Sequence, residues 1–423
     1  MLKTFLSQLP DLYQQKICVG FSGGADSIVL LHLLTQARAH GKIGSLSAVH
    51  VHHGLSSHAD DWLRFCQQIC HDWRVDFSAE RVQLNPKKQG IEAAARAARY
   101  AVYAQQNCDK IALAHHRDDQ LETFWLAALR GGGLRALAAM SSERALNERI
   151  TLWRPLLSFS RADIEDYAAQ NRLNYVHDAS NDDPSLLRNW VRHNMQPEIA
   201  QRVPQYDKHL LASIALLQDE LALLDEIIAQ DWADLHAATG QFSRVAWFRL
   251  PQTRQKQMLR EFAQRHYLGT PRRASVQDFA RVLREADANA QWSLPHGQAV
   301  LYRGVLFPVR HDFANDWAWT QRTEKGSLKN ILPKMGLTWR GDAPEFSGCI
   351  RAAQRDDVMR MQSGRKSVWQ ILQEAGVPPF AREKWAVAVD NDGMCVAVAN
   401  IRSDACLQGA ILWHDDLLGF QAA

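Results

Sequence analysis

Short apolar runs of the strand type alternate with longer amphipathic runs of the helix type between residues 17 and 153. Strands carry apolar residues in short blocks or with a period of two, whereas helices repeat them every three or four positions. A regular alternation of the two predicts a parallel sheet with helices on both faces. The strand-like runs are 17–21, 46–52, 75–84, 110–115 and 150–153, and the helix-like runs are 26–40, 58–72, 91–107 and 118–130.

The pattern changes beyond residue 204. Between residues 209 and 235, apolar side chains recur in steps of three and four, which predicts one long amphipathic helix. Residues 241–287 also have a helical pattern, and their ten Lys and Arg against four Asp and Glu give a net charge of +6. From residue 291 onward, short alternating runs predict a module with many strands.

These changes predict three domains in the 423-residue chain, whose 46% hydrophobic content suffices for two or three cores. Residues 1–205 are predicted to form an α/β domain around the parallel sheet. Residues 206–310 are predicted to form the long connecting helix and a basic helical domain. Residues 311–423 are predicted to form a small mixed α/β domain.

The first predicted strand ends in a glycine-containing segment, SGGADS, and a predicted helix follows at once. Glycines let a backbone approach a ligand closely, because no Cβ stands in the way. A helix N-terminus adds unpaired N–H groups and a positive dipole end, and serine hydroxyls add further donors. We therefore predict that this segment binds phosphate. Its residues are Ser22, Gly23, Gly24, Ala25, Asp26 and Ser27.

Polar clusters also follow the second and fourth predicted strands, as HVHHGL at 50–55 and AHHRDDQLET at 114–123. Ligands of open parallel sheets bind beyond the carboxyl ends of the strands, so these clusters and the glycine segment should meet at one edge. Capping of a helix explains one of Asp118 and Asp119. A second carboxylate close to Asp26 and a phosphate predicts a Mg²⁺ ligand.

The histidines of the two clusters, at positions 52, 53, 115 and 116, lack the thiolates or the third-ligand spacing of a zinc site. We predict that they surround a nucleotide instead. Neither a G-x-x-x-x-G-K-S/T segment nor a G-x-G-x-x-G segment after a strand occurs. An ATP site without the lysine of the first motif predicts chemistry at the α-phosphate, which is adenylation with pyrophosphate leaving.

Composition places limits on the cellular context. The net charge is only +3, so any nucleic-acid-binding surface must be local. The seven cysteines contain no C-x-x-C pair, which predicts a reducing compartment without disulfides. The first residues lack the apolar core of a signal peptide, and no apolar run reaches membrane-spanning length. We expect a soluble cytoplasmic protein with no membrane partner.

The segment SGGADS resembles the S-G-G-x-D-S loop of the N-type PP-loop ATPases. Together with further motifs, the chain resembles the tRNA(Ile)-lysidine synthetase family over nearly its whole length. His52 departs from the pattern, because other members often carry Asp there, so no acidic role transfers to it. The further motifs are HVHHGL, EAAARAARY at 92–100, AHHRDDQLET, LRGGG at 129–133, RPLL at 154–157, DASNDDPSLLRNWVRHN at 178–194 and VWQILQEAGVPPFAREKWAVAVD at 368–390.

The resemblance implies a PP-loop ATPase fold for residues 1–205 and a two-step ligation. ATP would adenylate the C2 oxygen of the wobble cytidine in a tRNA(Ile) with a CAU anticodon, and pyrophosphate would leave. The ε-amine of free L-lysine would then attack C2 and displace AMP, which forms lysidine and switches decoding from AUG to AUA. The basic helical domain within 206–310 would bind the phosphates of the tRNA, the C-terminal domain would add contacts to it, and a homodimer is left open.

In that scheme Asp26, Asp118 and Asp119 are the predicted catalytic residues and Mg²⁺ ligands. Glu122, one helical turn beyond Asp118, is the predicted partner of the lysine ammonium. Backbone N–H groups from Gly23 to Ser27 would hold the departing pyrophosphate. The predicted contacts to phosphate or tRNA are Arg96, Arg99, Arg188, Arg192, Arg272 and Arg273.

Three alternatives remain open at this point. A PP-loop tRNA thiolase would activate a base in the same way but needs reactive cysteines; Cys66 and Cys70 are four residues apart, on a helix expected to lie far from the strand ends. An RNA-binding protein without catalysis would not favour an acidic pair beside a phosphate site. An amidotransferase-coupled ligase would need a glutaminase-like domain, and none is visible in the sequence.

Overall fold

A computed structural model describes the chain over residues 1–54, 58–83, 91–177, 186–237, 240–285, 289–311, 324–327, 332–341, 347–361, 364–404 and 409–413. The chain divides into two compact units, Met1–Leu223 and Leu224–Ala423. Within these described ranges, no helix combines the length and the apolar character that a membrane crossing requires.

The first unit contains a six-stranded sheet made of β1 (Leu12–Gly20), β2 (Ile43–His52), β3 (Asp76–Arg81), β4 (Lys110–Ala112), β5 (Glu143–Ala145) and β6 (Thr151–Trp153). Its strand order is β3-β2-β1-β4-β6-β5. All neighbouring strands pair in parallel except β5, which runs antiparallel to β6. The predicted parallel sheet is confirmed, and the carboxyl ends of five strands lie at one edge.

Helices connect these strands and lead out of the sheet. α5 (Arg117–Leu129) begins within the polar cluster that follows β4, and α10 (Tyr206–His236) is the predicted long helix. A five-residue π-helix, Val191–Met195, interrupts the helical segment between α8 and α9. The helices are α1 (Leu2–Gln8), α2 (Ala25–Ala39), α3 (Ala59–Asp72), α4 (Ile91–Ala104), α5 (Arg117–Leu129), α6 (Leu134–Leu137), α7 (Arg161–Gln170), α8 (Leu187–Trp190), α9 (Gln196–Arg202) and α10 (Tyr206–His236).

Alternate residues of β1 point to opposite faces of the sheet, as a strand period of two requires. Ile17 and Val19 join a core with the apolar side chains of α2, including Ile28 and Leu31. Cys18 joins a second core on the other face, together with Val102 of α4. Helices therefore cover both faces, which leaves the strand ends as the place where polar groups can reach a ligand.

The second unit begins with helices and a four-stranded antiparallel sheet. The sheet has the order β7-β10-β9-β8 and shares one core with the helices, around Trp247, Phe262 and Leu301. The strand-like pattern from residue 291 onward predicted strands in this region, although the domain limit at 310 assigned them to a helical domain. The elements are β7 (Phe242–Ser243), α11 (Arg244–Arg249), α12 (Gln252–Arg265), α13 (Arg273–Glu285), β8 (Asn289–Leu294), β9 (Gly297–Tyr302) and β10 (Val305–Arg310).

The remaining elements confirm a mixed α/β C-terminal region. A seven-stranded sheet has the order β11-β13-β16-β17-β14-β15, with β18 paired to β17, and β12 pairs with β19. Its core surrounds Trp385 and Val387. The elements are β11 (Glu324–Ser327), β12 (Leu337–Gly341), β13 (Ser347–Ala352), β14 (Val358–Met361), β15 (Gly364–Ser367), α14 (Val368–Glu374), α15 (Pro379–Arg382), β16 (Ala386–Asp390), β17 (Cys395–Val398), β18 (Arg402–Ser403) and β19 (Gly409–Trp413).

Candidate active site

The glycine segment forms a tight turn between β1 and α2. Gly24 is the residue that precedes α2, and the first helical hydrogen bond runs from the Ile28 N–H to the Gly24 carbonyl at 3.0 Å. The N–H groups of Ala25, Asp26 and Ser27 therefore have no acceptor within the helix. They face outward at a positive helix end, which is a suitable place for a phosphate.

Ser27 organises the turn internally. Its hydroxyl accepts the Gly23 N–H at 3.1 Å and donates to the Gly24 carbonyl at 2.9 Å. The Ser22 hydroxyl lies 3.1 Å from that of Ser27. The Gly23 N–H is thus already engaged by the protein, whereas the amides from Ala25 to Ser27 are available to a ligand.

The two glycines of the turn have different requirements. Gly23 has a φ of +87°, and a Cβ there would lie 2.9 Å from the Cys66 sulfur and 3.2 Å from Val176. Gly24 has an ordinary φ of −72°, and a Cβ there would meet only the Ser22 hydroxyl, at 3.7 Å. Gly23 is required by the fold itself, while the space above Gly24 is open to a ligand.

The position of Cys66 corrects one expectation. The helix that carries Cys66 and Cys70 was expected to lie far from the strand ends, but Cys66 packs against Gly23 of the turn. Both thiols are fully buried, and burial raises the pKa of each to about 12. They are therefore protonated at neutral pH and lack the nucleophilicity that sulfur transfer requires.

Three carboxylates surround the buried ring of His116, which lies between β4 and α5. The His116 Nε2 atom is 3.9 Å from Asp26 Oδ2 and 3.5 Å from Asp119 Oδ2, and Nδ1 is 3.5 Å from Asp118 Oδ2. The structure thus brings the three predicted acids together around one histidine. Sequence reasoning placed His116 only in a general group of polar residues and missed this central position.

Backbone contacts fix both acids of α5. Asp119 accepts the His116 N–H at 3.0 Å and so caps its own helix. Asp118 accepts the Arg161 N–H at 2.8 Å, at the start of α7. Each carboxylate is therefore held through its Oδ2 atom by a backbone N–H, which fixes its orientation beside His116.

The charges of this group are strongly coupled. Burial lowers the pKa of His116, but Asp118, Asp119 and Asp26 outweigh it and raise the pKa above its ordinary value. Burial raises the pKa of Asp26, although His116 opposes it. Burial opposes ionisation of Asp118 as well, yet His116 and the Arg161 backbone lower its pKa to about 2. Three acids thus lie close together around His116, and a positive charge among them stabilises their ionised forms.

A second charged group, one helical turn along α5, contains Glu122 with two arginines. Glu122 is fully buried. Its carboxylate accepts from Arg188 Nε at 2.7 Å, and from Arg192 Nε at 2.5 Å and Nη2 at 3.0 Å. Arg188 Nη2 also lies 3.3 Å from Asp119 Oδ1, so the two charged groups are connected.

Arg188 and Arg192 are four residues apart on one continuous helical segment, and side chains at this spacing lie close together on a helix surface. Arg188 lies on α8 and Arg192 lies on the π-helix that follows. Single π-helical turns of this kind are frequent at functional sites. The two guanidinium groups converge on Glu122 although they were predicted to hold phosphate. The start of their sequence motif, residues 178–185, lies outside the described residues.

The histidines of the strand ends line the same edge. His50 Nδ1 contacts the Phe21 carbonyl at 2.9 Å and supports the start of the turn. His52 is buried, and its Nε2 atom lies 3.2 Å from the Asp60 carboxylate. Burial lowers the pKa of His53 and of His115 to about 4.

Several buried polar atoms near the turn have no hydrogen-bond partner among the described residues, including Nδ1 of His53 and of His115. Unsatisfied buried groups are costly and are expected where a ligand supplies the missing partner. They fit a nucleotide at this edge. Within the described ranges, no three His, Cys, Asp or Glu side chains form a metal cluster, so a Mg²⁺ ion here would need phosphate oxygens in addition to carboxylates.

The remaining predicted arginines lie in two places. Arg96 and Arg99 are exposed on α4 of the first unit. Arg272 and Arg273 are exposed at the start of α13 in the second unit. None of the four side chains forms an ion pair with a residue in the described part of the chain.

Two family models match this chain. A model described as a PP-loop domain matches residues 1–199, and a model described as a TilS substrate binding domain matches residues 242–307. The first covers the parallel sheet and the site described above. The second covers the helices α11–α13 and the four-stranded sheet.

One solved structure with a partial likeness is a U34-tRNA thiolase from Methanococcus maripaludis with its 4Fe–4S cluster. It covers 51% of this chain and 78% of its own, with a TM-score of 0.43 and 18% identity. We infer nothing about the reaction from that level of similarity.

Curated relatives match over nearly the full length. A tRNA(Ile)-lysidine synthase of Neisseria meningitidis serogroup B is 40% identical over 92% of this chain and 93% of its own. That of Neisseria gonorrhoeae is 39% identical over 95% of this chain and 93% of its own. That of Photorhabdus laumondii is 38% identical over 96% of each. With this coverage, with a PP-loop domain and with acids placed around the turn, the chain belongs to the tRNA(Ile)-lysidine synthase family.

Proposed function

We propose that this protein converts the wobble cytidine of a CAU-anticodon tRNA(Ile) into lysidine, with ATP and free L-lysine as co-substrates. The observation that carries the proposal is the adjacency of two charged groups, an acid cluster at the phosphate turn and a buried carboxylate one helical turn away. The first suits adenylation and the second suits recognition of an amine. The names of the curated relatives support the substrate.

For the first step, the amides of Ala25, Asp26 and Ser27 bind the β- and γ-phosphates of ATP. Donors that are oriented before the reaction stabilise the charge that develops on the leaving pyrophosphate. Asp26, Asp118 and Asp119 hold Mg²⁺, and a bound Mg²⁺ ion neutralises charge on the phosphates. The placement of all three carboxylates around the His116 ring supports this assignment.

His116 positions the acids. Its ring touches all three carboxylates and is almost inaccessible to solvent. A protonated ring compensates part of their repulsion before the metal and the nucleotide arrive. We assign it a positioning role.

For the second step, Glu122 receives the ammonium group of lysine. In the described structure both arginines already pair with Glu122, so this role requires at least one of them to turn away. Arg188 has 37% of its side chain exposed, against 21% for Arg192, and is the one with more room to move. A phosphate of ATP or tRNA is the anion that would attract it.

The chemistry of the second step is a substitution at C2. A bond forms between the lysine nitrogen and C2, and the bond between C2 and the oxygen of AMP breaks. The amine must lose its proton before it attacks.

We propose the domain limits 1–205, 206–310 and 311–423. Two separate cores within the second unit support the last limit: one contains residues up to Leu306 and the other begins at Phe307. The middle domain would bind tRNA phosphates through Arg272 and Arg273, and the C-terminal domain would add further tRNA contacts. These contacts position the substrate without reading its sequence.

A cytoplasmic location and a homodimer belong to the same proposal. The exposed apolar side chains of α10, Leu216 and Leu223, are seven residues apart and lie on one face of the helix. A repeated apolar position of this kind is a suitable contact for a second copy. Sedimentation of the wild-type chain and of a Leu216→Glu variant tests this point.

The deciding experiment combines the protein with ATP, Mg²⁺, radiolabelled lysine and a CAU-anticodon tRNA(Ile) transcript, followed by nucleoside analysis. Lysidine in the digest is the expected result. A thiolated base formed from a sulfur donor would favour the thiolase alternative. Tight tRNA binding without any release of pyrophosphate would favour an RNA-binding protein without catalysis.

A further inference from the structure

A second group of positive charges lies around Tyr100 in the first unit. The Arg96 guanidinium carbon is 5.1 Å from the centre of the Tyr100 ring, and that of Arg144 is 5.6 Å from it. Arg96 Nη2 also donates to the Tyr100 hydroxyl at 3.2 Å. We call Arg96, Tyr100, Arg144 and Arg154 the Tyr100 cluster.

Arg154 is the buried member of the Tyr100 cluster. It directly follows β6 and is only 5% exposed. Its Nη1 donates to the Ser141 carbonyl at 2.8 Å, but its Nε atom is buried without a hydrogen-bond partner among the described residues. Burial lowers the pKa of Arg154; Tyr100 opposes this, and Arg144 adds to it. A buried guanidinium with a free donor is costly unless an anion reaches it.

The Tyr100 cluster has an excess of positive charge. Across the ranges that the structure describes, none of its three arginines forms an ion pair. Glu143, the residue before Arg144, pairs instead with Lys110 at 2.5 Å. Like charges gathered on one ring repel each other, and an anionic ligand would relieve that repulsion.

The Tyr100 cluster borders the candidate active site but is separate from the phosphate turn. The electrostatic neighbours of His115 include Arg96 and Arg154 as well as Asp119 and Arg188. The turn follows β1, whereas Arg154 follows β6, two strands away in the order β1-β4-β6. At roughly 4.8 Å per strand, about 10 Å separates the two positions along the edge.

We propose that Arg96, Arg144 and Arg154 bind a phosphodiester group of the tRNA beside the nucleotide that is modified. Guanidinium groups match the planar fork of phosphate oxygens, and Tyr100 holds two of them in place. The turn accounts for the β- and γ-phosphates of ATP, and the tRNA is the other polyanion of the proposed reaction, so we assign the second anion to the nucleic acid. This inference rests on the proposed function, because it takes tRNA as the substrate.

The test measures binding of the CAU-anticodon tRNA(Ile) transcript against salt concentration. It uses the wild-type chain, Arg144→Gln, and Arg144→Gln combined with Arg96→Gln, since both side chains are exposed and their replacement leaves the core intact. Arg149→Gln is the matched control. Arg149 lies before β6 at the opposite edge of the sheet, where it donates to the Gln106 carbonyl at 3.2 Å.

We expect the salt slope to fall by about one for each arginine that no longer binds phosphate, and tRNA affinity to fall several-fold, in the cluster variants alone. Affinity for ATP, measured separately, should stay unchanged. If the cluster variants showed the same salt slope of tRNA binding as Arg149→Gln, the inference would be overturned. Weaker ATP binding with unchanged tRNA binding would also overturn it, since the anion would then be the nucleotide.

A wild-type lysine incorporation assay separates this inference from the proposed function. If lysidine forms and the cluster variants bind tRNA normally, the inference fails and the function stands. If no lysidine forms while the variants show a reduced tRNA affinity and salt slope, the phosphodiester site stands and the function fails.

Discussion

Two charged regions of the molecule can be compared. The acid centre is the group of Asp26, Asp118, Asp119, Glu122, His116, Arg188 and Arg192 in the first unit, and the basic helical segment is α11–α13 in the second unit. Both carry many charges, but they differ in how those charges are paired. In the acid centre, the three aspartates, Glu122, His116 and two arginines contact one another. In the segment α11–α13, several arginines bind protein groups and others do not. Arg254 pairs with the buried Asp231, whereas Arg272 and Arg273 have no ion pair with any described residue.

The difference shows that a net charge counted from sequence overstates the charge available to a ligand. Of the cations in residues 241–287, Arg265 pairs with Glu261, Arg281 with Glu285, and Arg244 donates to the Leu283 carbonyl. Cations without such a partner in the described structure can bind tRNA phosphates and break no existing contact. In the acid centre, by contrast, a ligand must exchange partners with the protein.

The largest effect is expected for Asp26→Asn. The substitution keeps the size of the side chain but removes one charge from the acid centre, so adenylation should fall at least ~100-fold, as for removal of one key electrostatic group. Single-turnover release of pyrophosphate measures this step, and its dependence on Mg²⁺ should weaken as well.

Asp61→Asn is a suitable control for Asp26→Asn. Asp61 lies in the first turn of α3, is exposed, and pairs with neighbouring surface residues such as Arg64. Its replacement should leave pyrophosphate release unchanged. If Asp26→Asn behaved like Asp61→Asn, Asp26 would be no more than a residue of the first helical turn.

A smaller, more selective effect is expected for Glu122→Gln. Removal of the charge of a fully buried acid breaks its ion pairs with Arg188 and Arg192, which retain Asp119 at 3.3 and 3.7 Å, and this costs about 3 kcal/mol of folding stability. The KM for lysine should rise at least ~10-fold, because the proposed partner of its ammonium is removed. Adenylation should change less than the lysine step. Steady-state kinetics with lysine varied, and thermal unfolding, measure the two effects.

Asp231→Asn provides the matching change in the second unit. It also removes a buried acid from an arginine pair, with Arg254, and should lower the melting temperature in the same direction. It should leave the KM for lysine unaltered. Equal kinetic losses in Glu122→Gln and Asp231→Asn would mean that Glu122 has a structural role only.

The two glycines of the turn separate folding from binding. Gly23→Ala combines a φ of +87° with a 2.9 Å approach to the Cys66 sulfur, so it should destabilise the chain and weaken ATP binding together. Gly24→Ala has no such conflict and should keep the melting temperature while ATP affinity falls several-fold, because a methyl group enters the proposed phosphate site. Unchanged ATP affinity in Gly24→Ala would place the phosphates elsewhere.

The turn could be predicted because its residues are contiguous. A strand, two glycines, donors and a helix start within one short segment already define the local structure. The parallel sheet followed from the alternation of runs, and the meeting of the strand ends followed from the sheet. The acids at 118 and 119 were then placed at the correct edge by topology alone.

Contacts between distant segments could not be predicted in the same way. Glu122 is 66 residues from Arg188 and 70 from Arg192, and no local pattern links them. The central position of His116 depends on three carboxylates from two helices. Cys66 was placed wrongly because α3 begins at the carboxyl end of β2, so its first turns return past the edge of the sheet to reach Gly23.

A modest effect on tRNA binding is expected when Arg272 and Arg273 are both changed to Gln. Because neither side chain has an ion pair with a described residue, stability should hold, while the salt slope of tRNA binding should fall by up to about two. The KM for tRNA should rise and that for ATP should not. Arg281→Gln on the same helix is the control, since Arg281 faces Glu285. If the wild-type chain, the double variant and Arg281→Gln all showed the same salt slope of tRNA binding, Arg272 and Arg273 would belong to a solvated surface that does not contact the tRNA.

The smallest effect is expected for the cysteines, and here the prediction is an absence of reactivity. Because burial raises the pKa of Cys66 and of Cys70 to about 12, both thiols should stay protonated at pH 8 and resist iodoacetamide in the folded chain. Mass spectrometry of the labelled protein, before and after unfolding in guanidinium chloride, measures this. Cys70 lies away from the turn, so the Cys70→Ala variant should retain nearly full lysine ligation activity, with a lowered melting temperature. Fast labelling of Cys66 in the native state that ATP suppresses would contradict this prediction. It would mean that a reactive sulfur lies beside the phosphate turn, and it would favour sulfur transfer over lysine ligation.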